Sequence, residues 1–140
     1  MINQSQLEYI VTNIQSKKVL VVGDIMLDKY VFGHVDRISP EAPVPVALIK
    51  NEEFKLGGSA NVALGMKKLL GKVELMGIVG NDQYGERLRT ILEENDIKYH
   101  LLTESMPTIR KSRVKSAGQQ LLRLDYEENF NSSINAGLLK

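Results

Sequence analysis

Two aspartates follow a short apolar run near the N-terminus. Residues 19–23 read Val-Leu-Val-Val-Gly, and Asp24 and Asp28 come soon after them. A β-branched run that ends in glycine is typical of a strand buried on both faces of a parallel sheet, and ligands bind at the carboxyl ends of such strands. Asp28 could therefore accept hydrogen bonds from sugar hydroxyls, and Asp24 could orient the loop. The alternative is that both acids only cap exposed backbone amides of a turn.

A pair of glycines, Gly57 and Gly58, precedes a segment with helical spacing. Two glycines let the backbone approach a ligand closely, and a helix N-terminus offers free N–H groups. Asn61 falls on the first helical turn, where its amide can both donate to and accept from a hydroxyl. The same residues are also ordinary turn chemistry. They form neither a Walker loop, which needs G-K-[ST], nor a dinucleotide fingerprint, which needs G-x-G-x-x-G.

A third candidate is a basic strand near the C-terminal end. Lys111, Arg113 and Lys115 alternate along residues 109–115, so they share one face of a strand, and Arg110 falls on the other. Such a face could hold a phosphate through charge-assisted hydrogen bonds. The plainer interpretation, favoured by the pattern alone, is a solvated edge that resists pairing with another sheet.

Composition excludes several classes of function. The 140 residues include 18 Lys and Arg against 17 Asp and Glu, so a net charge of +1 gives no field for holding nucleic acid. No apolar run approaches the ~18 residues that span a bilayer, and we expect no membrane association. The absence of cysteine excludes disulfides and thiolate metal sites, and fits a reducing, cytoplasmic location. The two histidines, His34 and His100, lie too far apart in sequence to suggest a metal site.

Hydrophobic spacing predicts alternating helices and strands. The first helix carries Leu7, Ile10, Val11 and Ile14, with Ser5 as its N-cap. After the strand at residues 19–23 come a helix at 60–70, a strand at 73–79, a helix that Asp82 caps, and a strand at 97–102. This order predicts an α/β fold with a parallel sheet and right-handed crossovers.

Two stretches do not fit this alternation and predict a second sheet. Residues 30–35 and 44–50 look like strands, and residues 109–115 and 120–125 form a hairpin around Ala117-Gly118. We expect these four strands to form a small inserted sheet with one solvated face, which is how a lid over a site is built. Residues 131–140 begin like another helix. Three central strands make a thin sheet, so the chain looks unfinished.

Taken together, the segments resemble the ribokinase-like (PfkB-type) sugar kinases. The first strand with Asp28, the Gly57-Gly58 helix start through Asn61, and residues 77–82 (Gly-Ile-Val-Gly-Asn-Asp) occur in that family's order and spacing. Within the family, residues 36–46 and 119–125 look like the branch that phosphorylates C1 of D-glycero-β-D-manno-heptose 7-phosphate, on the route to ADP-heptose and lipopolysaccharide.

The resemblance implies a fold and a set of sugar-binding residues. The fold is a three-layer α/β/α core, incomplete here, with a small inserted β-sheet lid at about residues 29–50 and 108–125. Residues 1–140 are then the N-terminal part of the kinase domain. Asp28 and Asn61 would bind sugar hydroxyls, and Gly57 and Gly58 would be the close-packed backbone beneath the sugar.

The resemblance also implies partners and missing parts. Arg37, Lys111 and Arg113 are candidates for phosphate contacts, ATP and Mg²⁺ would be the cofactors, and the lid suggests a homodimer. The catalytic base and the anion hole belong to a G-A-G-D-like segment expected beyond Lys140, so we expect no catalytic residue in this sequence and no activity from this chain alone. A fused adenylyltransferase domain occurs in some members of this branch.

Two other functions remain open from the sequence. One is a ribokinase-like kinase that acts on another sugar or on a nucleoside. The other is a non-catalytic module that dimerises through the lid sheet. The substrate profile separates the first from a heptose kinase, and dimerisation without sugar binding identifies the second.

Overall fold

The computed structural model of the chain describes residues 2–15 and 17–127. It contains three helices and seven strands in these residues. In chain order the elements are α1 (Gln4–Gln15), β1 (Val19–Val22), β2 (Ile25–Ile38), β3 (Pro45–Gly57), α2 (Gly58–Leu70), β4 (Val73–Gly80), α3 (Gln83–Glu94), β5 (Lys98–Glu104), β6 (Arg110–Ser116) and β7 (Gln119–Tyr126). The helix predicted at residues 131–140 lies outside the described residues.

The first sheet is parallel, with strand order β1-β4-β5. Helices α2 and α3 pack on one of its faces, because alternate residues of β4 point to that side and meet the apolar stripes of both helices. The buried residues at this interface are Val73, Leu75 and Val79 of the sheet and Ala60, Ala63, Leu88 and Leu92 of the helices. The predicted α/β alternation is confirmed.

The other face of this sheet differs from the sequence prediction. Strand β1 was expected to be buried on both faces, but Leu20 and Val22 are 52% and 64% exposed, and Met76 and Leu102 are exposed as well. The reason is that α2 and α3, the two helices packed on the sheet, both cover the opposite face. An apolar surface therefore lies open beside β1 in the described part of the chain.

Helix α1 forms where the sequence predicted it, but with a different cap. The backbone N–H of Gln6 donates to Asn3 Oδ1 at 2.8 Å, and the hydroxyl of Ser5 donates to the same oxygen. Asn3 is therefore the N-cap, and Ser5 belongs to the first turn. Both residue types accept from the first free amides of a helix, so composition alone does not choose between them.

The second sheet has strand order β3-β2-β6-β7 and contains the predicted lid strands. Strands β2 and β3 are longer than predicted: their core ends include Ile25, Leu27 and Leu56, which are almost fully buried. Both strands continue outward, and the register of their pairing shifts after Phe32 and after Val35. The β6–β7 hairpin turns at Ala117 and Gly118, both with positive φ, as a two-residue turn requires. The lid is therefore an extension of strands rooted in the core.

Candidate functional site

The site lies where the two sheets meet, at the carboxyl end of β1. The hydroxyl of Ser59 donates to the carbonyl oxygens of Gly23 and Asp24, at 3.1 and 2.9 Å, and the Ser59 backbone N–H also donates to Asp24. These bonds fix the start of α2 against the loop between β1 and β2. The part that Asp24 plays in orienting this loop comes from its backbone, because its side chain is exposed.

Asp28 and Arg113 meet at the centre of the site. Strands β2 and β6 pair in parallel with Asp28 opposite Lys111. This pairing brings Asp28 close to Arg113, which is 85 positions away in sequence. Arg113 Nη1 donates to Asp28 Oδ1 at 2.6 Å, and the side chains are only 22% and 19% exposed. The hydrogen bond to Asp28 raises the pKa of Arg113, against an opposing effect of burial. A carboxylate acceptor and a guanidinium donor therefore lie side by side.

The predicted glycines lie directly against Asp28. A Cβ on Gly57 would lie 2.8 Å from Met26 Cγ and 3.1 Å from Asp28 Cγ, so any side chain there would displace the carboxylate. Gly58 has φ of +54°, and a Cβ there would collide with the backbone oxygen of Asp24. Both positions need glycine because the end of β3 passes so close to β2.

The other predicted site residues lie at different distances from the Asp28–Arg113 pair. Asn61 is exposed on the first turn of α2, the helix that Gly57 caps. Lys111 lies beside Asp28 in the strand register, and its Nζ is 3.6 Å from Glu127 Oε2. Arg37 is exposed near the outer end of β2, roughly 30 Å along the strand from Asp28 at ~3.3 Å per residue. The structure therefore brings Asp28, Gly57, Gly58, Lys111 and Arg113 together. Asn61 lies within one helical turn of Gly58, and Arg37 lies apart from the site.

Two residues that the sequence analysis did not select complete the basic face. The ring of Tyr30, on the same side of β2 as Asp28, is approached by three cations: Lys55 Nζ at 5.1 Å, Arg113 Cζ at 5.3 Å and Lys115 Nζ at 5.1 Å from its centroid. Alternation along β2 is enough to put Tyr30 on the same face as Asp28, but only the β2–β6 register places it opposite Arg113. Nothing in the sequence places Lys55 of β3 beside them.

A hydrogen-bonded network fixes the strand that carries these cations. Asp82 Oδ1 accepts from the backbone N–H groups of Tyr84 and Gly85, which confirms the predicted N-cap of α3. The Thr108 hydroxyl donates to the same oxygen at 2.7 Å, and the Thr108 N–H donates to Asp82 Oδ2 at 3.0 Å. Thr108, which lies just before β6, is buried. Asp82 therefore ties the beginning of β6 to the core.

Two kinds of feature are absent from the described residues. No group of three or more His, Asp or Glu side chains in residues 2–15 and 17–127 could hold a metal ion. The same part of the chain contains no helix with the length and apolar character to cross a membrane.

Comparison with known proteins identifies relatives of this chain. The family model for the pfkB family carbohydrate kinases matches residues 16–132. The chain is 51% identical over 116 residues to the bifunctional protein HldE of Haemophilus influenzae strain PittEE, which covers 82% of this chain and 24% of that protein. It is 50% identical over 123 residues to HldE of Haemophilus ducreyi, covering 87% of this chain and 26% of that protein. The chain thus spans about a quarter of the length of these relatives.

Solved structures share the fold at lower sequence identity. A carbohydrate kinase from Agrobacterium tumefaciens superposes with a TM-score of 0.63 at 18% identity, over 79% of this chain and 35% of that one. A ribokinase from Thermotoga maritima gives a TM-score of 0.61 at 21% identity, over 78% of this chain and 36% of that one. The fold is therefore ribokinase-like, as the motifs predicted, and the chain belongs to the pfkB family of carbohydrate kinases.

Proposed function

We propose that this chain is the N-terminal part of a kinase domain that phosphorylates C1 of D-glycero-β-D-manno-heptose 7-phosphate, on the route to ADP-heptose. Two findings support the branch: the identity of about half to the HldE proteins, and the motifs at residues 36–46 and 119–125. The observation that carries the proposal is the Asp28–Arg113 pair. It sets an acceptor suited to sugar hydroxyls beside a cation suited to phosphate, and a phosphorylated sugar needs both.

Asp28 and Asn61 bind the sugar hydroxyls in this proposal. An ionised carboxylate accepts from two hydroxyls at once, and an amide both donates and accepts, so the pair can recognise a specific arrangement of hydroxyl groups. Gly57 and Gly58 form the floor, because the absence of side chains lets a sugar ring approach the backbone.

The phosphate group of the sugar is held by the basic face of the lid. Lys111 and Arg113 lie beside Asp28 in the register, which supports both as phosphate contacts. Arg37 is also proposed as a phosphate contact, on its charge and its place in a lid strand. Its place near the outer end of β2 makes it the weakest of the three.

ATP and Mg²⁺ are proposed as the phosphoryl donor and its metal ion. The sequence has no G-K-[ST] loop, and the described residues hold no group of three acidic side chains for a metal. A fructokinase with bound ATP from Xylella fastidiosa shares the fold at 23% identity, with a TM-score of 0.57. We propose that the nucleotide site and the catalytic base belong to other parts of a longer protein.

The proposal extends to partners and location. The HldE relatives are named as bifunctional proteins, which supports the fused adenylyltransferase domain that the resemblance implies, and we propose it as a second part of the protein. Exposed apolar residues on the hairpin strand, Leu122 and Leu124 among them, support a homodimer formed through the lid. We propose a cytoplasmic location, since sugar phosphates and ATP are substrates of the cell interior.

The test is the substrate profile of the full-length protein that carries this chain. We expect phosphorylation of heptose 7-phosphate with a kcat/KM well above that for unphosphorylated heptose, ribose, fructose or a nucleoside. A higher kcat/KM for an unphosphorylated sugar or a nucleoside would overturn the heptose proposal in favour of another kinase. Sedimentation and calorimetry address the third possibility, since a dimer that binds no sugar would be a non-catalytic module.

A further inference from the structure

Three cations lie around one aromatic ring on the face of the lid sheet that carries Asp28. Lys55, Arg113 and Lys115 come from two different strands, β3 and β6, and each places its charge 5.1–5.3 Å from the centroid of Tyr30. Tyr30 itself stacks on Phe32 at 6.3 Å, which holds the ring in place along β2. The aromatic ring is therefore a fixed platform on which the cations converge.

The strand register shows that these residues share the face that carries Asp28. Arg113 pairs with Tyr30, Lys55 pairs with Asp28, and Lys115 lies two residues beyond Arg113. Paired residues of neighbouring strands point to the same side, and so do residues two apart. The cation cluster is thus continuous with the sugar-hydroxyl site and lies one strand repeat, about 7 Å, further out along β2.

The residues that the structure describes do not fully balance the charges of the cluster. Any two of the three cations lie within about 10 Å of each other, which is one Debye length at about 0.1 M salt, so they repel. Arg113 is paired with Asp28, and Lys55 Nζ lies 3.6 Å from Glu53 Oε2. Lys115 has no carboxylate within ion-pair distance among residues 2–15 and 17–127. An anion bound between the cations would relieve this repulsion.

We propose that Lys55, Arg113 and Lys115, arranged around Tyr30, form the subsite for the phosphate monoester of the sugar substrate. The inference rests on the proposed function and adds Lys55, Lys115 and Tyr30 to the residues that determine specificity. A phosphate monoester carries close to two negative charges at neutral pH and three acceptor oxygens, which matches three convergent cations. The step of one strand repeat from Asp28 is comparable with the span of a sugar ring and its phosphorylated arm.

Lys115 and Lys55 give the subsite its preference for phosphorylated over unphosphorylated sugar. Arg113 contacts both parts of the site, since it binds Asp28 and lies over Tyr30. Removing Arg113 therefore disturbs hydroxyl and phosphate recognition together. Removing the two lysines leaves the Asp28–Arg113 pair in place and affects the phosphate alone.

The experiment compares two sugars in binding to the full-length protein. Isothermal titration with heptose 7-phosphate and with unphosphorylated heptose gives the ratio of the two affinities for the wild type, for Lys55→Met/Lys115→Met and for Tyr30→Leu. We expect the double variant to bind heptose 7-phosphate roughly 100-fold more weakly, about tenfold for each lost cation, with unphosphorylated heptose unchanged. We expect Tyr30→Leu to weaken only the phosphorylated sugar, by a smaller factor.

Lys29→Met is the matched control. Lys29 is also a lysine beside an aromatic ring, with its Nζ 5.6 Å from the centroid of Phe54 and 2.8 Å from Glu52, but it lies on the opposite face of β2. We expect it to change neither affinity. Circular dichroism melting of each variant checks that the lid strands remain folded.

Competition with inorganic phosphate tests whether the subsite binds the phosphate group of the sugar. We expect inorganic phosphate to compete weakly with heptose 7-phosphate in the wild type and to lose this competition in the double variant. Phosphate that binds without displacing the sugar phosphate would overturn the inference, and so would a double variant that keeps the wild-type ratio of affinities. A wild-type protein that binds neither sugar would instead refute the proposed function.

Discussion

The Asp28 carboxylate and the Arg113 guanidinium neutralise each other across two strands, with 2.6 Å between Oδ1 and Nη1. Asp28 lies where β2 leaves the core, whereas Arg113 belongs to the lid hairpin. The pair therefore joins the floor of the site to its cover. A substrate that uses both groups must supply a hydroxyl to Asp28 and an anion to Arg113 in exchange for their mutual hydrogen bond.

Replacing Asp28 tests the hydroxyl site. We expect Asp28→Ala in the full-length protein to lower kcat/KM roughly 10- to 150-fold for phosphorylated and unphosphorylated sugar alike, because a charged hydrogen bond is worth about 1.5–3 kcal/mol. Asp36→Ala is the control, since Asp36 lies on the same strand but is exposed and pairs with His34. Wild-type kcat/KM in Asp28→Ala would show that the carboxylate does not contact the sugar.

Replacing Gly57 tests the close approach of β3 to Asp28. A Cβ at this position would lie 2.8 Å from Met26 Cγ and 3.1 Å from Asp28 Cγ, so we expect Gly57→Ala to push the carboxylate away and raise the Kd for the sugar. Gly65→Ala in α2 is the matched control, because a Cβ there meets nothing within 4 Å. It should leave the Kd unchanged and stabilise the fold by up to ~1 kcal/mol through helix propensity.

Calorimetry of both alanine variants gives the Kd, and thermal melting gives the stability. If Gly57→Ala binds sugar as tightly as the wild type, Asp28 has room to move and the glycine is not required for recognition. Equal losses of affinity in both variants would show that the effect comes from helix α2 as a whole.

Local pattern was sufficient to predict most of the elements and part of the site. Val19 and its neighbours, the Asp82 cap and the Ala117-Gly118 turn are each specified within a few residues, and all three appear where the sequence places them. Alternation along one strand also predicted that Lys111, Arg113 and Lys115 share a face. These features depend on backbone geometry, which short segments determine by themselves.

Contacts between distant strands could not be predicted in this way. Lys55 joins the basic face only through the β2–β3 register, and Tyr30 meets Arg113 only through the parallel register of β2 with β6. The exposure of Leu20 and Val22 depends on which face α2 and α3 cover, and an apolar run is equally compatible with one covered face or two. Tertiary arrangement, not local propensity, decides both.

The exposed leucines of β7 test the proposed dimer. Leu122 and Leu124 are two residues apart and point to the same side of the hairpin strand, and both are exposed. We expect Leu122→Glu/Leu124→Glu to convert the dimer to a monomer in sedimentation, because burying two carboxylates in an apolar interface is strongly unfavourable. Leu69→Glu is the control, since Leu69 is an exposed leucine of α2. A double variant that stays dimeric would place the interface elsewhere.

Asp82 makes stability depend on pH at the base of the lid. Burial raises the pKa of Asp82, but hydrogen bonds from Thr108, Gly85 and Tyr84 together lower it below its ordinary value of 3.8. A carboxylate whose pKa is lower in the folded state stabilises the fold above its unfolded pKa. That contribution is lost as the pH falls from about 4 through the lower, folded pKa.

We expect Asp82→Asn to lower the free energy of unfolding by about 1–3 kcal/mol at neutral pH. The reason is that the NH2 group of the new amide would replace the oxygen that accepts from the Thr108 N–H, so two donors would face each other. The difference from the wild type should shrink as the pH falls below about 4, where the wild-type carboxylate takes up a proton. Asp96→Asn is the control: the Asp96 side chain is 93% exposed, so its ion pair with Lys67 should contribute little. Urea unfolding at a series of pH values gives the free energy of unfolding of the wild type and both variants. A difference between Asp82→Asn and the wild type that stays constant down to pH ~2 would show that the Asp82 charge does not anchor β6.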